Sequence, residues 1–297
     1  MDLFDAAATR DALPFERLIP ALQAMFESGC EVPRRHVHEI TAPGGSRLTS
    51  LIMPAWLPGR YFGVKTVNVA PGNAALGLPG LHSTYLLYDA NSGVPLAQID
   101  GNVVTARRTA AASALAASRL ARPDARRLLV VGAGQVGRLL PAAYRAVLAI
   151  EEVVVWTRSA PFDLASAASA ADIVSCATLA TEPIVRGAWL QPGSHLDLIG
   201  GFTPAMREAD DDCFAGAGIY VDTDEALEKS GDLLGPIARG VFSAADVRGT
   251  LAGLCRGTAA GRRSRSERTV FKSVGTALED LAAAILVYET GNAASRR

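Results

Sequence analysis

A glycine-rich turn near the middle of the chain constrains its fold more than any other segment. The stretch RLLVVGAGQVGRLL, residues 127–140, combines strand-forming residues, three glycines spaced G-x-G-x-x-G and the start of a helical pattern. In such a unit the glycines permit a tight turn, a close approach of backbone to pyrophosphate, and packing of helix on strand, and the helix start offers free N–H groups to phosphate. We predict dinucleotide binding rather than a merely structural turn. The residues expected at the cofactor are Gly132, Gly134, Gln135, Val136 and Gly137.

Strand and helix patterns alternate on both sides of this turn. The runs LLVVGAG, EEVVVWTR, DIVSCAT and HLDLIGG are typical of buried strands, and helices are predicted directly after Gly134 and over residues 164–171. Alternation of this kind is typical of a doubly wound parallel sheet. We therefore expect an α/β fold of the Rossmann type in this part of the chain.

The first hundred residues have a different pattern. After a predicted helix over residues 11–29, stopped by Gly29, short alternating runs rich in β-formers follow, and residues 90–93 (ANSG) have the composition of a hairpin turn. These features predict a mainly antiparallel sheet with one helix. An alanine-rich helix is predicted over residues 102–121, with Pro123 as its stop. A last amphipathic helix, residues 273–290 with Gly291 as its end, either closes the nucleotide domain or returns to the first one.

The end of the second predicted parallel strand bears on the choice of cofactor. Enzymes that use NAD commonly carry an acidic residue there for the ribose 2′-hydroxyl. This chain has Thr157, Arg158 and Ser159 instead, and these side chains suit a 2′-phosphate. We predict NADPH, with NADH also possible; the alternative is that Arg158 is a solvated surface residue.

Lys65 departs from the pattern of its strand. In GVKTVNV, residues 63–69, alternation places Lys65 on the same face as two valines. Three interpretations remain open from the pattern alone: a lysine that protects an edge strand, a stem that reaches back to solvent, or a lysine facing an active site with a lowered pKa.

Other charged residues are ambiguous by themselves. Arg107 and Arg108 are neighbours on the alanine-rich helix, so only one is expected to face a given site, and either is solvated or binds a carboxylate. Arg47 opens a strand, and His82 is a candidate for the same site as Lys65. His36 and His38 are expected to be solvated. The histidines and cysteines do not have the spacing of a metal site, so we predict no metal.

Composition excludes several classes of protein. The 297 residues carry a net charge of −1, so a basic surplus for nucleic acid is lacking. The N-terminus is not typical of a signal peptide, and no apolar run is long enough to span a bilayer. The four cysteines are widely separated, which favours reduced thiols over disulfides or zinc. We expect a cytoplasmic protein of 297 residues in two domains.

Several motifs resemble those of the ornithine cyclodeaminase/mu-crystallin family. They are GVKTVNVAPGN (63–73), TARRTAAASALAA (105–117), GAGQVG (132–137), VWTR (155–158), TLATEPIV (178–185), GSHLDLIGG (193–201) and FKSVGTALEDLAAA (271–284). They occur in family order over nearly the whole chain. The resemblance implies a homodimer, with residues 1–121 and 276–297 forming an α+β substrate-binding and dimerisation domain and residues 122–275 forming the Rossmann domain.

The resemblance also implies roles for individual residues. Lys65 and Arg108 would bind a substrate carboxylate, and Arg47 looks similar to a third basic residue of the family. Thr109 would lie near the cofactor phosphates. The other half of the cofactor would lie near Thr178, Ile199 and Gly200.

One departure from the family pattern bears on the reaction. Cyclodeaminases of the family carry an aspartate directly after the GG turn, where this chain has Phe202. A phenylalanine cannot act as a base, and it would pack on an apolar ring. The resemblance therefore implies a ketimine reductase that converts Δ1-pyrroline-2-carboxylate or Δ1-piperideine-2-carboxylate to L-proline or L-pipecolate. The alternatives are an ornithine cyclodeaminase, an alanine or opine-type dehydrogenase, or a non-enzymatic binder like mu-crystallin.

Overall fold

A computed structural model describes residues 1–295, without the side chains of Ala74, Ala294 and Ser295. The strands are β1 (Asp2–Phe4), β2 (His36–Thr41), β3 (Arg47–Leu57), β4 (Tyr61–Val69), β5 (Leu81–Asp89), β6 (Pro95–Asp100), β7 (Arg127–Val131), β8 (Glu152–Trp156), β9 (Ile173–Cys176), β10 (His195–Leu198), β11 (Gly218–Val221), β12 (Val247–Thr250) and β13 (Thr269–Lys272). The α-helices are α1 (Ala6–Ala12), α2 (Phe15–Ser28), α3 (Gly101–Leu120), α4 (Leu140–Arg145), α5 (Leu164–Ala170), α6 (Ala226–Lys229), α7 (Gly231–Ala238), α8 (Leu251–Arg256) and α9 (Ala277–Ser295).

The chain divides into two compact units. The first comprises Met1–Arg108 and Thr276–Arg297, and the second comprises Thr109–Gly275. One boundary between the units falls inside α3, and the other lies between Gly275 and Thr276. Arg296 and Arg297, which the sequence analysis assigned to the first domain, lie outside the described residues.

The first unit is built on a sheet with the strand order β1-β6-β5-β4-β3-β2. All neighbouring strands pair antiparallel except β1, which lies parallel to β6. The hairpin between β5 and β6 closes as expected, because the Asp89 carboxylate accepts hydrogen bonds from the backbone N–H groups of Asn91 and Ser92. One face of the sheet is buried, and α9 packs against it. The last helix thus belongs to the first unit.

Two helix ends differ from the sequence-based expectation. The helix expected over residues 11–29 starts later, at Phe15, because Pro14 has an extended backbone, and residues 11 and 12 instead end a separate helix, α1. Gly29 does end α2, with a φ of 77°. The expectation that Gly291 ends the last helix is wrong, since α9 continues to Ser295. A side chain at Gly291 would collide with the ring of Phe4, so this glycine serves close packing.

The second unit contains a parallel sheet with the strand order β12-β11-β13-β10-β9-β7-β8. From β7 the chain first adds β8 on one side and then β9 on the other, which makes β7 the point where the winding direction reverses. In open α/β sheets, ligands bind beyond the carboxyl ends of the strands at such a point. The expected α/β class, with a Rossmann-type parallel sheet and a mainly antiparallel second sheet, is confirmed.

A buried carboxyl group ties the core of the second unit together. Asp197 on β10 accepts hydrogen bonds from Tyr144, at 2.9 Å, and from the hydroxyls of Ser113 and Ser175. Burial raises the pKa of Asp197 to about 6, although the three hydrogen bonds oppose the rise.

Among the described residues, no helix has the length and apolar character needed to cross a membrane.

Candidate active site

Lys65 lies in the interior of the first sheet. Its strand β4 is flanked by β3 and β5, where Met53 and Tyr85 are its direct neighbours. Directly opposed residues point to the same face, and Met53, Lys65 and Tyr85 are all buried, with Lys65 only 1% exposed. Two of the three sequence-based interpretations are therefore excluded, since Lys65 neither protects an edge strand nor reaches solvent.

The Lys65 ammonium group is one of four charges that are buried together, with Arg108, Glu279 and Asp280. Lys65 Nζ lies 2.6 Å from Oδ2 of Asp280 and 3.3 Å from Oγ1 of Thr105. Arg108 donates from Nε to Oδ1 of Asp280 at 3.0 Å and from Nη1 to Oε2 of Glu279 at 2.6 Å. The two cations come from β4 and α3, and the two carboxylates come from the first turn of α9. We call these four residues the Lys65–Arg108 cluster.

Burial and the neighbouring charges both shift the pKa values of Lys65 and Asp280. Burial lowers the pKa of Lys65 to about 8, the carboxylate of Asp280 raises it in part, and the guanidinium of Arg108 lowers it further. Burial disfavours the charged form of Asp280 as well, but Lys65 and Arg108 keep the pKa of that carboxyl below its ordinary value. A buried ammonium with this pKa is able to exchange a proton near neutral pH.

The two neighbouring arginines of α3 diverge as expected. Arg107 donates from Nε to the backbone carbonyl of Leu13 at 2.7 Å, and its guanidinium lies over the ring of Phe15. Arg108 enters the cluster instead. Only Arg108 is therefore in a position to act with Lys65 on an anion.

Arg47 and His82 are not brought to the cluster. Arg47 is exposed at the first residue of β3, six residues from Met53, which corresponds to about 20 Å of strand. His82 lies on β5, and alternation places it on the opposite face from Tyr85. Both residues were candidates for the Lys65 site on sequence grounds. Their distance from Lys65 depends on strand register, which the sequence does not reveal.

Arg35 is better placed than Arg47. It directly precedes β2, whose first residue, His36, pairs with Ile52. Continuing this register by one residue beyond the strand would put Arg35 next to Met53, on the face of the sheet that carries Lys65. Adjacent strands lie about 4.8 Å apart, so the backbones of β2 and β4, which flank β3, are about 10 Å apart.

In the second unit, the glycine turn after β7 has the geometry that a dinucleotide requires. Gly132 has a φ of 107°, and a Cβ there would lie 2.6 Å from the carbonyl oxygen of Ala177. A Cβ at Gly137 would collide with the carbonyl of Gly132, whereas a Cβ at Gly134 would meet nothing within 4 Å. The first and third glycines are thus required by packing, and the backbone at the second is open to a ligand.

The helix that follows the turn begins later than the sequence suggested. Gln135 and Val136 lie in a series of turns, and α4 starts only at Leu140, with a proline in its first turn. The expectation of a helix directly after Gly134 is wrong, because Pro141 favours a helix start at its own position. The N–H groups available to a phosphate are those of the turn.

The residues after β8 lie at the same end of the parallel sheet. Thr157 and Ser159 share a hydrogen bond between their hydroxyls at 3.1 Å, and Arg158 is exposed. No acidic residue follows β8 within this segment. The side chains that a 2′-phosphate would need are therefore accessible.

Glu208 joins the turns that follow β9 and β10. Its Oε1 accepts hydrogen bonds from the backbone N–H of Thr178 at 2.7 Å and from the Thr178 hydroxyl at 2.8 Å, and its Oε2 accepts from the N–H of Gly200 at 2.6 Å. Burial raises the pKa of Glu208 to about 7, against the opposing charge of Lys272. A Cβ at Gly200 would overlap the carbonyl of Thr178, so these two turns are in close contact.

The remaining candidate residues of the second unit are partly accessible. Ile199 is nearly buried and donates its N–H to Cys176, and Thr109 is also nearly buried, on α3. Phe202 follows the Gly200 turn and is 46% exposed. The described residues contain no group of histidine, cysteine and carboxylate side chains suited to a metal ion.

Sequence reasoning missed the acidic members of both arrangements. Glu279 and Asp280 lie in the first turn of a helix, where carboxylates ordinarily favour the helix dipole and face solvent. The sequence did contain an indication that this helix is buried, because the next seven residues of α9, LAAAILV, are apolar. Glu208 had no comparable signal, since it lies in a loop, directly after Arg207 and just before the acidic residues 210–212.

Comparison with known proteins identifies the family to which the chain belongs. The sequence profile of the ornithine cyclodeaminase/mu-crystallin family matches residues 45–163 and 159–295. A Δ1-pyrroline-2-carboxylate reductase of Paracoccus denitrificans is 42% identical over 282 residues, which cover 88% of this chain and 89% of the relative.

Solved structures are similar over the same extent. The Thermococcus litoralis Δ1-pyrroline-2-carboxylate reductase, in complex with NADH and L-proline, has a TM-score of 0.91 and 30% identity, covering 99% of this chain and 98% of that one. An archaeal alanine dehydrogenase dimer with bound NAD has a TM-score of 0.89 and 26% identity, covering 99% and 97%. By profile, sequence and fold, the chain belongs to the ornithine cyclodeaminase/mu-crystallin family.

Proposed function

We propose that this protein is an NAD(P)H-dependent oxidoreductase that reduces the C=N bond of a cyclic ketimine carboxylate. Its substrates are Δ1-pyrroline-2-carboxylate, Δ1-piperideine-2-carboxylate or both, and its products are L-proline and L-pipecolate. The observation that carries the proposal is the buried pair of Lys65 and Arg108, because two cations held together out of water suit a small carboxylate. Relatives described as Δ1-pyrroline-2-carboxylate reductases support the same reaction.

The Lys65–Arg108 cluster binds and orients the substrate carboxylate. A guanidinium and an ammonium held by fixed carboxylates lose little conformational freedom on binding, which favours a single orientation of the ring. Lys65 is also the candidate proton donor, since its pKa of about 8 lets it hold a proton at neutral pH and release it to the imine nitrogen. Arg35 replaces Arg47 as the third basic residue.

The cofactor is held by the second unit, at the carboxyl ends of β7, β8 and β9. Gly132, Gly134 and the backbone of Gln135 and Val136 approach the pyrophosphate, with Gly137 allowing the turn to close. Thr157, Arg158 and Ser159 hold the ribose 2′-phosphate of NADPH, which is preferred over NADH. Thr109 would contact the phosphates, and Thr178, Ile199 and Gly200 would contact the nicotinamide half. When bound, the dihydronicotinamide supplies a hydride to C2 of the C=N bond.

Phe202 argues against cyclodeamination. A phenylalanine has no group that accepts a proton or pairs with the side-chain ammonium of ornithine. At the position where cyclodeaminases of the family place an aspartate, this chain lacks the base that such a reaction needs. Reduction of a ketimine requires no acidic residue there.

The protein functions as a homodimer in this proposal. The face of the first sheet opposite Lys65 carries an aromatic row, Trp56, Phe62 and Tyr88, with ring centroids 6.3 Å and 5.4 Å apart. Ile52 on the same face is 37% exposed. The three aromatic side chains are partly exposed, and apolar groups on an exposed sheet face suit an interaction surface; a second copy of the chain is the proposed partner.

The absorbance of the reduced nicotinamide tests the proposal directly. Purified protein is mixed with Δ1-pyrroline-2-carboxylate and, in parallel, with NADPH and NADH. Rapid loss of absorbance with NADPH supports the reaction and the cofactor preference together. Loss with NADH alone supports the reaction and overturns the preference. No loss with either cofactor overturns the reductase, and ammonia release from ornithine or oxidation of NADPH by pyruvate with ammonia would identify the alternative.

A further inference from the structure

Asp280 occupies a particular position among the four charges of the Lys65–Arg108 cluster. Each of its two oxygens contacts a different cation, Oδ2 at 2.6 Å from Lys65 Nζ and Oδ1 at 3.0 Å from Arg108 Nε. Glu279, the preceding residue, contacts Arg108 at 2.6 Å. The two adjacent carboxylates therefore differ in their contacts, because Asp280 contacts the ammonium group of Lys65, whereas Glu279 contacts the guanidinium of Arg108. Variants of the two residues can be compared on this basis.

The side chains of Asp280, Glu279 and Lys65 are at most 1% exposed. A charge removed from water to this extent is costly unless it is paired, and truncating one partner of a buried pair leaves the other uncompensated. The position of α9 is set by its apolar packing in the first unit, so its first turn presents Asp280 at a fixed place between the two cations. The pairing is thus a property of the fold before any substrate arrives.

We propose that Asp280 is a positioning residue of the carboxylate-binding pair, which fixes the Lys65 ammonium relative to the Arg108 guanidinium and keeps Lys65 protonated. The inference deepens the proposed function and rests on it for the identity of the substrate. Asp280 itself takes no part in the chemical step. Glu279 contacts Arg108, and its charge raises the pKa of Lys65 less than that of Asp280 does.

The groups that face Lys65 come from every element packed around it. On α3 they are Arg108 and Thr105, on α9 Glu279 and Asp280, and on β5 Tyr85, whose buried hydroxyl lies against Gly63. Burial raises the pKa of Tyr85 well above its ordinary value, with smaller contributions from Asp280 and Cys30, so this phenol stays neutral. Asp280 is therefore the anion nearest to the Lys65 ammonium.

The direction of the effect follows from these positions. Burial lowers the pKa of Lys65 to about 8, and the charge of Asp280 is the largest opposing influence. In Asp280→Asn the pKa of Lys65 falls further, so Lys65 is neutral over more of the neutral range and the substrate carboxylate binds less well. Lowering the pH restores the ammonium and with it part of the affinity. A merely structural defect would not be repaired by acid.

The titration of Lys65 can be measured without substrate, from the ¹³Cε resonance of lysine in labelled full-length protein, assigned by its absence in Lys65→Met. We expect a midpoint lower by about one pH unit or more in Asp280→Asn and a smaller downward shift in Glu279→Gln. In kinetics, Asp280→Asn should raise KM by about tenfold or more at pH ~8 and much less at pH ~6. In Glu279→Gln the rise in KM should differ less between the two pH values than it does in Asp280→Asn.

An unchanged Lys65 midpoint in Asp280→Asn, or a KM penalty independent of pH, overturns the inference. If Asp280→Asn does not fold, Asp280→Glu keeps the charge but moves it, so KM should rise while the Lys65 midpoint stays near that of the wild type. A large downward shift in Asp280→Glu would likewise overturn it. Because the resonance needs no substrate, a wild-type protein without ketimine reductase activity contradicts the proposed function only, and the titration still judges Asp280.

Discussion

Lys65 and Asp280 form an ion pair in the interior of the first unit, with 2.6 Å between Nζ and Oδ2 and both side chains buried. The pair joins the central strand β4 to the first turn of α9, which is far away in sequence. Because Asp280 already holds the Lys65 ammonium group in place, little further reorganisation is needed when an anion binds. The kinetic predictions depend on this fixed position.

Removing either cation of the cluster should impair catalysis. We expect Lys65→Met and Arg108→Lys each to lower kcat/KM by about tenfold or more, which corresponds to about 1.4 kcal/mol of transition-state stabilisation. Steady-state kinetics with Δ1-pyrroline-2-carboxylate measure the effect. Arg107→Lys is the matched control, since Arg107 contacts Leu13 and Phe15 instead. Equal kinetics in the Arg107 and Arg108 variants would contradict the site assignment.

Arg158 should determine the preference for NADPH. Because its guanidinium is exposed at the end of β8, Arg158→Ala should raise KM for NADPH by about tenfold and leave KM for NADH nearly unchanged. Parallel kinetics with both cofactors check this. Arg127, an exposed arginine at the start of β7, provides the control as Arg127→Ala. An unchanged ratio of the two KM values in Arg158→Ala would show that Arg158 is only a solvated residue.

Gly134 and Gly200 should respond differently to the same substitution. A Cβ at Gly134 meets nothing within 4 Å, so Gly134→Ala should keep the wild-type Tm and lose NADPH affinity. A Cβ at Gly200 overlaps the carbonyl of Thr178, so Gly200→Ala should lower the Tm itself. Thermal denaturation and fluorescence titration with NADPH separate the two effects. Full NADPH affinity in Gly134→Ala would place the pyrophosphate elsewhere.

The aromatic row of the first sheet should control the oligomeric state. A carboxylate at Phe62 would be buried unpaired in an interface but hydrated in a monomer, so Phe62→Asp should convert a dimer to a monomer in light scattering coupled to size-exclusion chromatography. Val155→Asp, at a 43% exposed position on β8, should leave the mass unchanged. A wild-type protein that is monomeric would contradict the proposal before any variant is made.

His195 should make stability sensitive to acid. It is buried, its Nδ1 lies 2.9 Å from the Thr269 hydroxyl, and burial lowers its pKa to about 3, with a smaller effect from Arg262. Below the ordinary pKa of 6.5 the unfolded chain binds a proton that the folded chain does not. The free energy of unfolding therefore falls with decreasing pH, by up to about 1.4 kcal/mol per pH unit between the two pKa values.

His195→Gln removes this group and should flatten the fall. Urea denaturation of both proteins from pH ~7 to pH ~4.5 measures the difference in slope. Asp197 and Glu208 act in the opposite direction, since their raised pKa values make the folded state bind protons more readily as the pH falls. Both are present in the wild type and the variant, so their contributions cancel in the comparison. Parallel pH profiles would show that His195 is protonated in the fold.

Local pattern was sufficient for much of this molecule. The glycine spacing after β7, the alternation around Lys65 and the hairpin at residues 90–93 each depend on neighbours within a few residues, so the sequence by itself determined the parallel sheet, the antiparallel sheet and the buried side of β4. The divergence of Arg107 and Arg108 followed from helix geometry alone. Family motifs added roles to these positions.

Contacts between residues that are far apart in sequence became known only from the three-dimensional fold. Strand register places Arg47 and His82 away from Lys65, whereas Arg35 directly precedes the pair His36–Ile52, and register depends on pairings that no local pattern specifies. The return of α9 to the first unit made Glu279 and Asp280 partners of Lys65 and Arg108. In sequence these carboxylates resembled ordinary helix-start charges, because the cost of burying a charge becomes visible only when its surroundings and its partners are known.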